Sequence, residues 1–149
     1  MPKCNNKKLK DKEFLKKYGK ETVFHYGCEN GEHDVYVYRM TLTTPNGNVV
    51  EYPWSLVKTR CEQMNVKHCP ELDKFLYTTQ EDLLERVAKH EGGPDPIGKT
   101  HIREGIVVRI DDRQDFTAFK QKNVDFKILE GIIKSEDIVD MEEQEDMNE

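Results

Sequence analysis

Glu104-Gly105-Ile106-Val107-Val108-Arg109-Ile110 and Phe116-Thr117-Ala118-Phe119-Lys120-Gln121-Lys122 are two β-forming runs joined across Asp111-Asp112-Arg113-Gln114. β-Branched and aromatic residues dominate both, and a short polar link between such runs predicts an antiparallel pair. Val107 is apolar as well as Ile106, Val108 and Ile110, so the first strand reads as buried on both faces. That reading puts Glu104 at the edge of the sheet. Side chains alternate along a strand, so Lys120 and Lys122 share a face, about 7 Å apart.

Two like charges held together repel unless something anionic sits over them. Two readings of the lysine pair stay open: a clamp on phosphate oxygens, or an edge strand kept from aggregating by its lysines. Glu104 has two as well. It can hold Mg²⁺ directly or through water, or it is a surface glutamate paired with Arg103 or Lys99. The Glu-Gly dipeptide recurs at Glu91-Gly92 and Glu130-Gly131. Only the apolar strand and the Lys-x-Lys strand that follow make Glu104-Gly105 informative.

Working upstream, Lys7–Lys17 predicts a short Lys-rich helix with Phe14 and Leu15 as apolar contacts. Thr22–Tyr26 reads as a brief strand ending at Gly27, and His33–Leu42 as a longer one rich in β-formers. Thr44-Pro45-Asn46-Gly47 is a turn that returns through Asn48–Tyr52 as a hairpin. Pro53 breaks the strand, and from Trp54 the pattern turns helical, with Leu56 or Val57, Cys61 and Met64 at three- and four-residue spacing. Val66–Leu76 is a connection or short strand. Thr79 with Asp82 caps a helix over Gln80–His90 that buries Leu83, Leu84 and Val87, with Ala88 beside them. Gly92–Gly98 is a loop, and Val124–Ile133 is a closing amphipathic segment. The expected fold class is α+β, a mostly antiparallel β-sheet with packed helices.

A chain of 149 residues with 35% charged and 36% hydrophobic residues fits one soluble domain with a modest core. No apolar run approaches the ~20 residues of a membrane span. The Lys-rich start lacks the apolar stretch of a secretory signal, so a cytoplasmic protein is expected. The net charge of −6 is unevenly distributed: eight of the 29 acidic residues lie in Ser135–Glu149, and the remaining 21 face 23 Lys and Arg. Met1–Lys20 carries eight Lys against Asp11 and Glu13. The expected organisation is a basic N-terminal arm or helix (1–20), a domain (21–134) and an acidic, disordered tail (135–149). The basic segment is either a solvated helix face or an arm that holds polyanions. Cys4, Cys28, Cys61 and Cys69 form no C-x-x-C pair. Cys61 and His68-Cys69 lack a fourth ligand, so free thiols are expected.

Tyr36 and Tyr38 project to one face of the His33–Leu42 strand. Such a ring can stack on a purine, worth ~1–3 kcal/mol in nucleic-acid systems, or serve as ordinary packing.

Taken in order, these pieces resemble the second half of the nucleotidyltransferase (adenylation) domain of the RNA ligase family, within the superfamily of RNA and DNA ligases and mRNA capping enzymes. The likeness spans roughly residues 21–134. Glu104-Gly105-Ile106-Val107-Val108-Arg109 resembles motif IV, which implies Glu104 as a metal-binding residue. Lys120-Gln121-Lys122, followed by Asn123-x-x-Phe126, resembles motif V, which implies that Lys120 and Lys122 contact nucleotide phosphates. Asp34–Met40 resembles motif IIIa, which implies Tyr38 as the aromatic that stacks on the base. The stretch from Asn46-Gly47 through Arg60-Cys61 to Cys69-Pro70-Glu71-Leu72 is similar to the family's intervening hairpin and helix. The resemblance implies ATP and Mg²⁺ as cofactors, and RNA ends, or DNA ends, as partners.

The chain departs from the family where the chemistry starts. The family's K-x-D-G lysine attacks the α-phosphate of ATP, and a lysine can do so only with its lone pair exposed. No K-x-D-G occurs here. The nearest string, Lys89-His90-Glu91-Gly92, falls between the IIIa-like and IV-like segments and reads as a helix end. Tyr26-Gly27 is followed by Cys28, with Glu29 one place later than motif III puts its glutamate, and Arg39 stands where many relatives carry an acid. Catalytic residues are therefore expected to be none in this chain. Three functions follow: half of an ATP-dependent RNA ligase whose nucleophile comes from a second polypeptide or an upstream region, a non-catalytic module that binds nucleotide or RNA ends, or an interaction protein.

Overall fold

The computed structural model describes residues 3–131, an α+β chain of short strands and helices. The acidic segment 135–149 and the last two residues of the expected Val124–Ile133 segment lie outside them. Strand β1 (Lys3–Asn5) leads through a 3-10 turn (Asn6–Leu9) to helix α1 (Lys12–Tyr18), and β2 (Glu21–Val23) returns antiparallel to β1. The single helix expected over Lys7–Lys17 is split. Lys10 takes a left-handed conformation (φ 55°), and the Asp11 carboxylate starts α1 afresh by accepting the Glu13 and Phe14 amides at 2.8 and 3.1 Å. Fully buried Asn6 staples the module: its amide donates to the Gly19 carbonyl (2.9 Å) and its oxygen accepts from Thr22 Oγ1 (2.9 Å). This Lys-rich segment is therefore part of the core. Phe14 packs with Phe24, Ile102, Phe126 and Leu129, flanked by Cys4, Leu9, Tyr18 and Tyr26.

Strands β3 (Tyr36–Val37), β4 (Thr41–Thr43) and β5 (Val49–Glu51) precede helix α2 (Trp54–Met64) and strand β6 (Lys67–His68). The one strand expected over His33–Leu42 is two, because the chain changes partner: β3 runs parallel to β6, whereas β4 pairs antiparallel with β5. The expected turn closes that hairpin, with the Gly47 amide donating to the Thr44 carbonyl at 2.9 Å and Gly47 at φ 84°. Helix α2 begins after Pro53 as expected. Val57 and Cys61 are fully buried, but Met64 is exposed.

Helix α3 (Gln80–Glu91) has the expected cap, the Asp82 amide donating to Thr79 Oγ1 at 3.2 Å. None of its residues is buried: Leu83 and Val87 are half-buried, and Leu84 and Ala88 are exposed. The helix rests on the hairpin of β7 (Gly105–Ile110) and β8 (Thr117–Lys122), so only one stripe is covered. Helix α4 (Val124–Glu130) follows directly and buries Phe126, Ile128 and Leu129.

The strands among the described residues form four separate pairs, three antiparallel and one parallel, rather than one sheet. Every strand is therefore an edge, and β7 is not buried on both faces. Val107 is 61% exposed and Phe119 62%. No helix among the described residues is long and apolar enough to cross a membrane.

Candidate functional site

The register of the β7–β8 hairpin decides which charges meet. Gly105 lies opposite Lys122, Val107 opposite Lys120 and Arg109 opposite Ala118. Directly opposed residues share a face, so Lys120, Lys122, Val107 and Arg109 project together. Gly105 has φ 151°, and a Cβ there would lie 2.1 Å from the Gln121 carbonyl oxygen and 2.8 Å from the Lys122 Cα. Only glycine fits so close an approach. The residue after Glu104 is thus dictated by the backbone.

Glu104 is anchored from both sides. Its backbone carbonyl accepts the Asn123 amide at 2.9 Å, while the Asn123 side chain donates to the Arg103 carbonyl (3.0 Å) and caps α4 by accepting the Asp125 amide (3.0 Å). Phe126 then anchors α4 in the core, edge-on to Phe24 at 5.3 Å. These contacts give Asn123-x-x-Phe126 a physical role. The Tyr26 hydroxyl donates to Glu104 Oε1. Tyr26 and Gly27 both have positive φ (48° and 80°), a turn that carries the ring back toward the hairpin.

Burial pushes the Glu104 carboxyl above its ordinary range; Lys120 and Lys122 pull it down, and Glu130 adds to the rise. The Cys4 thiol is likewise raised, first by burial, with Lys8 opposing and Glu130 and Glu104 adding. One electrostatic cluster therefore gathers at this end of the hairpin. Within it Lys122 is committed, to Glu130 at 2.6 Å and over the Phe126 ring at 5.3 Å. Lys120 is exposed and makes no ion pair among the described residues.

Tyr38 stands apart from Glu104. Its carbonyl accepts Arg109 Nη1 at 3.4 Å, which places it near the opposite end of β7, about 13 Å along the strand from Gly105. Tyr38 is 65% exposed, beside a shallow depression of about 280 Å³ lined by Tyr38, Arg39, Thr41 and Val49. The structure thus brings Glu104, Lys120 and Lys122 together at one end and leaves Tyr38 toward the other, on the Arg109 side. Tyr36 is half-buried, with Lys67 Nζ 5.5 Å from its ring centre.

That other end is a closed knot. Arg109 donates to Asp111 (2.8 Å) and to the Tyr52 carbonyl (2.5 Å), and its guanidinium lies 5.3 Å from the Phe116 ring centre and 5.7 Å from that of Trp54. Asp111 also accepts the Trp54 amide at 3.0 Å, capping α2 where Pro53 cannot. Arg39 grips Glu51 through Nε and Nη2 at about 3 Å and covers Phe116 at 4.7 Å. A small cavity of about 100 Å³ lies here, among Glu51, Tyr52, Arg109, Asp111 and Phe116. Sequence reasoning missed this knot, as it missed Tyr26, Cys4, Lys8 and Glu130 at the Glu104 end. The one signal at hand was the positive-φ-prone Tyr26-Gly27.

Among the described residues no three His, Cys, Asp or Glu side chains are grouped to hold a metal, and Cys4, Cys28, Cys61 and Cys69 are free thiols. Glu104 accepts from Tyr26 through Oε1. Its second oxygen suits Mg²⁺, which takes one or two carboxylates and fills its remaining sites with water and phosphate. No family model, curated protein or solved structure matches the chain.

Proposed function

We propose that the Glu104 end of the hairpin is the phosphate- and metal-holding half of a nucleotidyl-transfer site of the RNA-ligase kind, lacking its nucleophile. The observation that carries this reading is the register: it sets Lys120 and Lys122 on one face at the end of the hairpin where Glu104 enters, within electrostatic reach of its carboxylate, and Lys120 makes no ion pair among the described residues. Lys120 serves as a point charge for a nucleotide phosphate, and Lys122 exchanges Glu130 for phosphate when ligand arrives. Glu104 supplies one oxygen to Mg²⁺, whose chemistry is to neutralise phosphate charge. The exposed Tyr38 side chain offers a stacking surface toward the other end of the hairpin. ATP is the nucleotide and RNA ends are the substrate, as the resemblance implies. A second polypeptide or an upstream segment contributes the attacking lysine.

Incubation of the chain with α-labelled ATP and Mg²⁺ tests the missing nucleophile. The expected result is no covalent AMP on this chain; a stable lysyl-AMP band on the chain alone overturns the proposal. A second reading, a protein-docking role, is favoured by the β4–β5 hairpin, where Leu42, Val49 and Val50 are all about half exposed. Absence of ATP binding together with capture of a partner through that hairpin would select it.

A further inference from the structure

The lysines of the N-terminal module form a charged surface that the site leaves unused. Lys3, Lys7, Lys12, Lys16, Lys17 and Lys20 are all exposed, and none makes an ion pair among the described residues. Of the module's three acids, Asp11 is spent on capping α1, which leaves Glu13 and Glu21 as local compensation for eight lysines. The backbone that carries the lysines is held in place: Asn6 ties the module together, and Phe14 packs into the core.

The chain leaves α4 beside this surface. Lys8 Nζ donates to the Leu129 carbonyl at 3.1 Å and would lie 3.7 Å from a Cβ on Gly131, where the described residues end. Glu136 follows five residues later and opens a run of eight acids without a Lys or Arg. Five residues span at most about 17 Å, and α1 is about 10 Å long. The acidic run can therefore reach the lysines from its point of exit. Single exposed ion pairs are weak. Several pairs joined by a short link act at an effective concentration on the order of millimolar.

We infer that the lysine face of the N-terminal module is the docking surface for the acidic segment 135–149 of the same chain. Eight carboxylates occupy it, and another polyanion gains the face only by displacing them. The inference rests on charge and chain geometry, not on the nucleotide reading of Glu104.

Carbodiimide cross-linking of the full chain at low protein concentration, mapped by mass spectrometry, tests the contact. Links from Glu136–Glu149 should concentrate on Lys3–Lys20 within single molecules and vanish at high salt. Links spread evenly over lysines elsewhere, such as Lys58, Lys74 and Lys99, would overturn the inference, as would links formed only between molecules. Binding of a fluorescent oligothymidylate supplies a second readout. Removing residues 135–149 should tighten it and steepen the dependence of log K on log salt by about 0.7 per lysine released. In a Lys12→Glu/Lys16→Glu/Lys17→Glu background the same truncation should have little effect. An equal gain in both backgrounds would show a general charge effect and refute the docking surface. Circular dichroism confirms that each variant is folded.

Discussion

The two ends of the β7–β8 hairpin carry similar charges and use them differently. At the Ile110 end Arg109, Asp111, Glu51 and Arg39 satisfy one another and the backbone, and the cations lie over aromatic rings. At the Gly105 end Glu104 has one protein donor, Lys122 one carboxylate partner and Lys120 no ion pair among the described residues. Charges that are fully partnered hold a structure; charges left under-partnered beside a half-buried carboxylate suit a ligand that completes them. The contrast separates a structural knot from a candidate site within a single hairpin.

The largest effect is expected at the knot. Arg109→Ala removes the donor that joins β7 to Tyr52 and Tyr38 and leaves Asp111 and Glu51 under-compensated, at a cost of about 3 kcal/mol. A shift of the urea unfolding midpoint measures it; a loss under half that size would deny the knot its structural role. Gly105→Ala sharpens the comparison from the other end. Its Cβ would strike the Gln121 carbonyl, and the backbone cannot keep φ 151° at ease. Strain and overpacking together should cost about 2 kcal/mol or more, and an unaffected midpoint would mean that the strands are not so close.

Glu104→Gln is expected to behave oppositely, because the site end is not built for stability. The folded state holds the Glu104 proton more tightly than the unfolded chain does, so ionising Glu104 costs stability. That cost is absent below the ordinary carboxylate range. It grows as pH rises through that range, and is complete above the raised folded value. With solvent screening of a partly exposed group, the glutamine variant should gain a few tenths of a kcal/mol at neutral pH. The gain should disappear in acid. Unfolding curves across that pH window decide it, and a variant less stable than wild type at neutral pH would contradict the sign.

What the sequence disclosed was local. The β7–β8 pair, the Gly47 turn, the start of α2 after Pro53 and the Thr79 cap each depend on a few adjacent residues, and each is found where expected. Glu104, Lys120 and Lys122 were legible for the same reason, because period-two alternation fixes the direction of a strand's side chains. Their common end required the register, which pairing alone supplies. Phe14 was expected as an apolar contact of the Lys-rich helix, but its packing with Phe24 and Phe126 joins segments far apart in the chain and was hidden. The break between β3 and β4 depends on partners far apart in the chain, β6 for one and β5 for the other. Tyr26 on Glu104 and Arg109 on Tyr52 join residues 78 and 57 positions apart, beyond any periodic signal.

The central claim is that the Gly105 end is an incomplete charge cluster awaiting phosphate. Calorimetric titration of ATP with Mg²⁺ into wild type and Lys120→Ala/Lys122→Ala tests it most directly. The account predicts saturable binding to wild type, reduced at least about tenfold in the double variant, a loss of ~1.4 kcal/mol or more. The unfolding midpoint should correspond to a change within about 0.5 kcal/mol, because the one ion pair removed is at the surface. Equal binding by both proteins, or no binding by wild type, would contradict it.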